Sequence, residues 1–443
     1  MSRTSSARAP AAPGTPPVAD AHLPALDGLR GIAVLLVMFC HFLEHQQRFS
    51  ALSWRVLYGA SDSAWCGVDL FFVLSGFLIT GILYDSKEGA HYFRSFYMRR
   101  VLRIFPLYYG FLLVATVLVP WVTALVSGRA TPIAHQGWLW FYGTNILMGL
   151  RQEWLFDQGP VWMGHLWSLA VEEQFYLVWP LIVFIFPRRP LMEICAVFAV
   201  AALTARVTLL AGGANELPAY VLTHCRVDSL AAGAFIALAA RGKRGPDVLL
   251  GPAKLVAVAS GAALLWLVRL ERGRLAYDDW RTQTFGFSLL AVFFGALLTL
   301  AAFGPANAPW RRLCSVSLLR RFGQYSYALY LFHVPLTPLF QAIIPATMLA
   351  QWLHSYRIGL GLHVALSIAL SLGLAVLSWN LFEKHFLKLK RYFPYEVRRS
   401  GPIAGAGASA PVGGESSPAT IFRRTPLTPL PAAPLNPPAR PNT

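Results

Sequence analysis

Four windows of the sequence contain no Asp, Glu, Lys or Arg: 104–128, 282–310, 322–356 and 358–382. Each is longer than the roughly 20 apolar residues that an α-helix needs to cross the hydrocarbon core of a bilayer. The composition agrees, since 56% of the 443 residues are hydrophobic and 13% are charged, whereas a soluble domain carries about a quarter charged residues. The sequence therefore predicts an all-α fold, a polytopic transmembrane helical bundle.

Hydropathy places about ten spans between two polar ends. Residues 1–22 are rich in Ser, Ala and Pro and predict a flexible leader, and residues 392–443 predict a Pro/Ala/Gly-rich, disordered cytoplasmic tail. Residues 23–391 between them are predicted to form the integral membrane domain. The predicted spans are about 26–44, 64–84, 102–126, 165–187, 191–212, 220–240, 248–268, 283–304, 324–346 and 359–383.

The net charge of +17 is carried mainly by short loops between the apolar segments. Most Lys and Arg fall on the side that holds both ends of the chain, which predicts a multi-pass protein of the inner (plasma) membrane with both termini cytoplasmic. No basic cluster alternates with aromatic residues, so no nucleic acid partner is expected. The five cysteines have no CxxC spacing, and no metal is expected.

Polar side chains at membrane depth are costly and often functional. In the first span Arg30 and His41 are eleven residues apart. Eleven helical steps make about three turns plus 20°, so both residues share one face, separated by a rise of about 16 Å. This predicts phosphate or carboxylate binding by Arg30 near the cytoplasmic surface and proton chemistry at His41. Asp27 lies one turn before Arg30 and is placed to pair with it.

Four arginines precede the third span: Arg94, Arg99, Arg100 and Arg103. They are typical of a topology signal that meets anionic headgroups. They are equally typical of a cradle for the phosphates of a cytosolic donor, because guanidinium groups bind phosphate in a planar, bidentate way. Charge alone does not separate the two interpretations.

The fourth span carries two adjacent carboxylates, Glu172 and Glu173. Glu172 shares a helix face with His165 and Tyr176, whereas Glu173 points about 100° away. Glu172 is therefore predicted to face the interior, where it would orient a histidine, take a proton or hydrogen-bond a sugar hydroxyl.

The sixth span contains Arg226 and Asp228, which do not face each other at a spacing of two. Each needs a partner from another helix, and Asp69 in the second span is predicted to pair with Arg226. In the ninth span Tyr330 and His333 share one face, where either substrate contact or helix–helix hydrogen bonding would explain them.

Six stretches together resemble the acyltransferase 3 family of integral membrane acyltransferases. They occur in the family's order over roughly residues 23–391. The stretches are the Arg30-x10-His41 pair, GVDLFFVLSGFLIT, RRVLRIFPLYY, HLWSLAVEEQFYLVWP, CRVDSLAAGA and GQYSYALYLFHVP.

The resemblance implies ten helices and transfer of an acyl group, often acetyl, from acyl-CoA to a hydroxyl of a cell-envelope glycan, lipid-linked sugar or small molecule. The family's arginine and histidine pair maps onto Arg30 and His41, its Arg-x-x-Arg element onto Arg100 and Arg103, and its acid onto Glu172. No hydrolase-like domain is expected after the bundle. The expected protein acts alone, passes its acyl group to a separate periplasmic partner, or takes an acceptor that reaches the membrane site.

The resulting hypothesis makes His41 a general base, or the carrier of a transient acyl group. Glu172 orients the imidazole or the acceptor, and Arg226 or a tyrosine stabilises the oxyanion. A transporter or flippase that uses the same buried charges for a proton or substrate pathway is the alternative. A third possibility is a structural membrane scaffold, which predicts that Arg30 and His41 tolerate substitution.

Overall fold

The computed structural model describes residues 23–44, 46, 51–128, 133–157 and 161–396. The predicted leader and nearly all of the predicted tail lie outside these residues. The described part of the chain forms helices and connecting turns and contains no β-strand. The prediction of an all-α bundle is confirmed.

Within the described residues, nine helical segments are long and apolar enough to cross a membrane, and a bent helix pair raises the number to ten. The protein is therefore a multi-pass membrane protein, as predicted. The segments are α1 (Pro24–Glu44), α2 (Leu52–Asp85), α3 (Tyr92–Ser127), α4 (Gly164–Ile185), α5 (Arg188–Ala211), α6 (Glu216–Ala239), α7 (Pro246–Leu270), α8 (Thr282–Phe303), α9 (Ser326–Ile343 with Ala346–Leu353) and α10 (Tyr356–Tyr392).

The ninth span differs from the continuous helix expected over 324–346. Its two parts meet at an angle of 44°. Pro335 and Pro338 lie inside the first part, and Pro345 immediately precedes the second. Proline removes a backbone donor and clashes with the preceding turn, which is why the helix ends at Ile343 and restarts in a new direction.

Helices α2 and α6 pack with their backbones in close contact. A Cβ atom at Gly76 would lie 1.9 Å from the Leu230 carbonyl oxygen, and one at Gly233 would lie 1.9 Å from the Val73 carbonyl oxygen. Only glycine allows two helix backbones to approach this closely.

The same helix pair contains the ion pair predicted for the sixth span. Arg226 Nη2 lies 2.7 Å from Asp69 Oδ1, and both side chains are fully buried. The Ser229 hydroxyl donates a second hydrogen bond to Asp69 Oδ1 over 2.9 Å. The guanidinium also lies over the Phe287 ring of α8, 3.9 Å from its centroid.

Asp228 pairs with a different helix, as its spacing from Arg226 requires. Arg206 of α5 donates from Nη1 to Asp228 Oδ2 over 2.9 Å and from Nη2 to the Ser288 hydroxyl over 2.7 Å. Ser288 in turn donates to Asp228 over 3.0 Å. Two buried charge pairs therefore join α2, α5, α6 and α8.

Candidate active site

Three cavities follow one another along α1, and we name them the vestibule, the inner cavity and the outer cavity. Arg30 and Arg103 border both the vestibule and the inner cavity. Val68 and Tyr330 border both the inner and the outer cavity. The inner cavity has the smallest volume of the three, about 110 Å³, against about 530 Å³ for the vestibule and 470 Å³ for the outer cavity.

The four arginines before the third span divide into two pairs. Arg100 and Arg103 line the inner cavity, and the Arg100 guanidinium lies 5.3 Å from the centre of the Tyr176 ring. Arg99 instead donates to the backbone carbonyl of Phe393 over 3.2 Å, and Arg94 lies over the Phe393 ring. The latter pair therefore holds the end of the described chain.

Arg30 lies at the junction of the vestibule and the inner cavity. Its Nη1 is 3.7 Å from Asp27 Oδ1, in the pairing expected from the helix spacing. His41, three turns along α1, lines the outer cavity. One face of α1 thus runs from the arginine end to the imidazole.

Glu172 lies with the arginines and not with His41. It lines the inner cavity, and its Oε2 accepts a hydrogen bond from the Tyr176 hydroxyl over 2.8 Å. The hydroxyls of Tyr176 and Ser75 are hydrogen-bonded to each other. The expected contact between Glu172 and the His41 ring is absent from the described contacts, because the two side chains border different cavities.

Glu173 departs from the expectation that one of the two carboxylates packs elsewhere. It borders the inner cavity together with Glu172, and both are half-buried. Side chains of α1, α2, α3 and α9 also line this cavity. The cavity therefore extends around α4 far enough to reach both Glu172 and Glu173, which lie on different faces of that helix. A single helix projection could not anticipate this.

Three imidazoles cluster at the outer cavity. The His41 and His333 ring centroids are 5.0 Å apart, and those of His165 and His333 are 5.3 Å apart. His41 Nδ1 lies 2.8 Å from the Val37 carbonyl oxygen, and His333 Nδ1 lies 2.8 Å from that of Tyr330. A carbonyl only accepts, so in both neutral rings Nδ1 carries the proton and Nε2 keeps its lone pair.

His165 is the site residue that the sequence analysis did not assign. Its side chain is 5% exposed and lines the outer cavity. Within the described residues neither ring nitrogen makes a hydrogen bond of normal geometry. The helical pattern grouped His165 with Glu172, but the chain around it forms a short 3-10 turn, Gly164–Leu166, before α4 becomes regular.

Tyr330 forms part of the wall between the inner and outer cavities. Its hydroxyl is hydrogen-bonded to the Ser168 hydroxyl and lies 3.2 Å from the His165 carbonyl oxygen. Its ring centroid is 5.5 Å from those of His165 and His333. The shared face predicted for Tyr330 and His333 therefore packs against the start of α4, with Tyr330 between the inner and the outer cavity.

The outer cavity combines aromatic rings with carboxylates. One cation, Arg274, borders it and lies 3.6 Å from Asp62. This composition suits a polyol, because rings stack on the apolar faces of sugars while carboxylates accept from hydroxyls. The aromatic side chains are Trp65, Trp154, Trp162, Trp167, Tyr220, Tyr277 and Tyr330, and the carboxylates are Glu44, Asp62, Asp157 and Asp278.

The remaining predicted polar residues belong to the helix packing. Asp69 and Arg226 border none of the three cavities. Asp228 is held by Arg206 and Ser288. The predicted pairing of Asp69 with Arg226 is confirmed, while a role of Arg226 at the oxyanion stays a prediction. The Arg226 guanidinium also lies over the rings of Trp65 and Tyr220, which line the outer cavity.

This geometry joins an arginine-lined entrance to a histidine in an aromatic cavity, as a membrane-embedded group-transfer protein would need. A family model described as an acyltransferase domain matches residues 23–379. The chain therefore belongs to the acyltransferase 3 family, and the predicted enzyme class, an acyltransferase, is confirmed at the level of the family.

Two named relatives are O-acetyltransferases. The peptidoglycan O-acetyltransferase OatA of Listeria monocytogenes is 27% identical over 75% of this chain and 52% of its own length. The O-acetyltransferase OatA of Staphylococcus aureus is 26% identical over 71% of this chain and 50% of its own length. The chain thus spans about half the length of these curated relatives. No solved structure matches the chain.

Proposed function

We propose that the protein is an O-acyltransferase of the inner (plasma) membrane, with both termini in the cytoplasm. It transfers an acyl group, in the first instance acetyl, from cytosolic acyl-CoA to a hydroxyl of a cell-envelope glycan, lipid-linked sugar or similar acceptor. The observation that carries this proposal is the succession of cavities along α1, with arginines at one end and His41 at the other.

The donor enters from the arginine end. Arg30, Arg100 and Arg103 line the way in, and guanidinium groups bind phosphate oxygens in bidentate fashion. The pantetheine arm then extends through the inner cavity toward Tyr330. The inner cavity has a volume of only about 110 Å³, so side chains move to enlarge it when the donor binds.

His41 acts as the general base. With Nδ1–H donating to the Val37 carbonyl, Nε2 is the atom that takes the acceptor's hydroxyl proton. The hydroxyl oxygen attacks the thioester carbonyl, the C–S bond breaks, and the CoA thiolate leaves and takes up the proton from the imidazolium. In the variant mechanism Nε2 attacks first and carries the acyl group to the acceptor.

Glu172 works on the donor side in this mechanism. Its hydrogen bond from Tyr176 and the position of Arg100 over the Tyr176 ring hold the side chains that line the inner cavity. His333 packs edge-on against His41 at 5.0 Å and fixes the orientation of that ring.

The acceptor binds in the outer cavity. Its aromatic and carboxylate lining favours a sugar, and similarity to the Listeria peptidoglycan O-acetyltransferase supports a glycan. Transfer of the acyl group to a separate periplasmic partner is the second route for the same donor half-reaction.

Release of the CoA thiol tests the proposal directly. Purified protein in nanodiscs is incubated with acetyl-CoA and cell-envelope glycan fragments, and free thiol is measured with and without the acceptor. We expect acceptor-dependent release and a new ester mass on the acceptor. Movement of a substrate across vesicles without any thiol release would instead identify the alternative, a transporter or flippase.

A further inference from the structure

The vestibule carries more positive charge than the donor's entry into the inner cavity requires. Besides Arg30 and Arg103 it is lined by Arg320 and Arg321, against a single carboxylate, Asp27. Both additional arginines belong to the short helix Ser317–Gln324, which precedes α9. Their side chains are exposed.

This short helix is fixed against α1 by contacts between backbones. A Cβ atom at Gly31 would lie 2.0 Å from the Leu319 carbonyl oxygen, and one at Gly323 would lie 1.8 Å from the Asp27 carbonyl oxygen. Such close packing leaves no room for the helix to shift. Arg320 and Arg321 are therefore presented at a constant position beside Arg30.

Three vestibule cations, Arg103, Arg320 and Arg321, have no carboxylate within ion-pair distance among the described residues. Several like charges around one cavity repel one another, so they favour an anion with more than one negative group.

An aromatic side chain completes the vestibule. Trp379 lines it, is half-buried and begins a π-helical turn, Trp379–Glu383, within α10. Such turns interrupt a regular helix and are frequent at functional sites. Tyr325 packs edge-on against Trp379 at 5.8 Å and 81°, so the indole is held in place while a planar base can stack on it.

We propose that the vestibule binds the nucleotide end of the CoA donor, with Arg320 and Arg321 on its 3′-phosphate and Trp379 against its adenine ring. This inference rests on the proposed function, because it takes the donor to be acyl-CoA. It adds a subsite that discriminates CoA from donors that lack the 3′-phosphate. Arg30 and Arg103, at the junction with the inner cavity, then meet the diphosphate.

Three ligands separate the contributions of the 3′-phosphate and of the adenine ring to binding. The full-length protein is placed in nanodiscs of zwitterionic lipid, and its Kd is measured for CoA, 3′-dephospho-CoA and phosphopantetheine. We expect the wild type to bind CoA at least about tenfold more tightly than 3′-dephospho-CoA, since a hydrogen-bonded charge contributes that much. In the double variant Arg320→Gln with Arg321→Gln this ratio falls to about one, while the Kd of 3′-dephospho-CoA is unchanged.

Trp379→Leu gives a different signature. This substitution weakens the binding of CoA and of 3′-dephospho-CoA by the same factor. It leaves the Kd of phosphopantetheine, which lacks the base, unchanged. Arg312→Gln is the matched control, because Arg312 is exposed on the preceding helix Pro309–Cys314 and borders none of the three cavities; it should change no ratio.

Two outcomes would overturn the inference. Equal binding of CoA and 3′-dephospho-CoA by the wild type is one. The other is a double variant whose only change is a weaker response to added anionic lipid, which would make the two arginines headgroup anchors. Failure of the proposed function looks different, because then none of the three ligands binds or no acyl transfer follows binding.

Discussion

The bundle contains two sets of membrane-embedded charges with opposite surroundings. The packed set consists of Asp69 with Arg226 and Arg206 with Asp228, paired at 2.7 and 2.9 Å with at most 2% exposure. The cavity set consists of the arginines, Glu172 and His41, which border open space. Both sets cost free energy to place in the membrane.

The difference lies in what remains for a ligand. Each carboxylate of the packed set already accepts from a guanidinium and a serine hydroxyl, and the set borders none of the three cavities along α1. Asp228 lines a separate pocket between α5, α6, α7 and α8. The cavity set keeps donors and a lone pair available to a ligand in the cavities along α1. The proposed function therefore assigns the reaction to the cavity set and helix packing to the packed set.

The largest effect is expected at His41. His41→Ala should lower acyl transfer by a hundredfold to ten-thousandfold, about the range for loss of a general base, and leave CoA binding unchanged. Thiol release with acceptor present and CoA affinity measure the two properties. Near-wild-type turnover by this variant, in properly inserted protein, would show that His41 is not the general base.

Breaking a packed pair should cost stability first. Asp69→Ala leaves the Arg226 cation buried without its partner, and such a loss typically costs about 3–5 kcal/mol. We expect a lower thermal unfolding midpoint in detergent. The double variant Asp69→Leu with Arg226→Met should recover much of that loss. No recovery, together with lost transfer in a stable protein, would place the pair in the reaction.

Glu172 tests whether the inner cavity serves the donor. Glu172→Leu removes the acceptor of the Tyr176 hydrogen bond, so we expect the KM for acyl-CoA to rise about tenfold with little change in the KM for the acceptor. Glu172→Gln keeps an oxygen acceptor and should retain most of the affinity. A fall in kcat in both variants, with the donor KM unchanged, would instead indicate that Glu172 acts with His41 in the chemical step.

The smallest expected effect is at the wall between the cavities. Tyr330→Phe keeps the ring but loses the hydroxyl contacts to Ser168 and His165, a net contribution of about 1 kcal/mol. We expect a several-fold rise in acceptor-independent hydrolysis of acyl-CoA, as water passes the loosened wall. Tyr327→Phe is the control, because that hydroxyl donates to the Ile104 carbonyl within the inner cavity.

The sequence predicted those features that depend on one helix at a time. The number of spans followed from length and hydropathy, and the pairing of Asp27 with Arg30 followed from a spacing of three. The pairing of Asp69 with Arg226 also emerged, because two lone charges in neighbouring apolar spans have few alternatives.

The features that the sequence left open depend on several helices at once. Glu172 was expected to orient either the imidazole of His41 or the acceptor. It lines the inner cavity and His41 lines the outer one, with Tyr330 bordering both, and a projection of one helix contains no information about a side chain from another span. His165 was passed over because its 3-10 turn rotates it from the regular face. Arg320 and Arg321 resembled ordinary loop charges until glycine packing placed their helix on α1.

The position of Tyr330 between the inner and the outer cavity also bears on the energy metabolism of the cell. A continuous water-filled pore would let ions flow down the voltage across the bilayer and dissipate the stored gradient. Tyr330 lines both the inner and the outer cavity, and its hydroxyl is hydrogen-bonded to Ser168. Under the proposed function this ring would keep hydrated ions from passing between the two cavities while an acetyl group is transferred from one to the other. We expect the protein to export acetyl groups while the membrane stays electrically sealed.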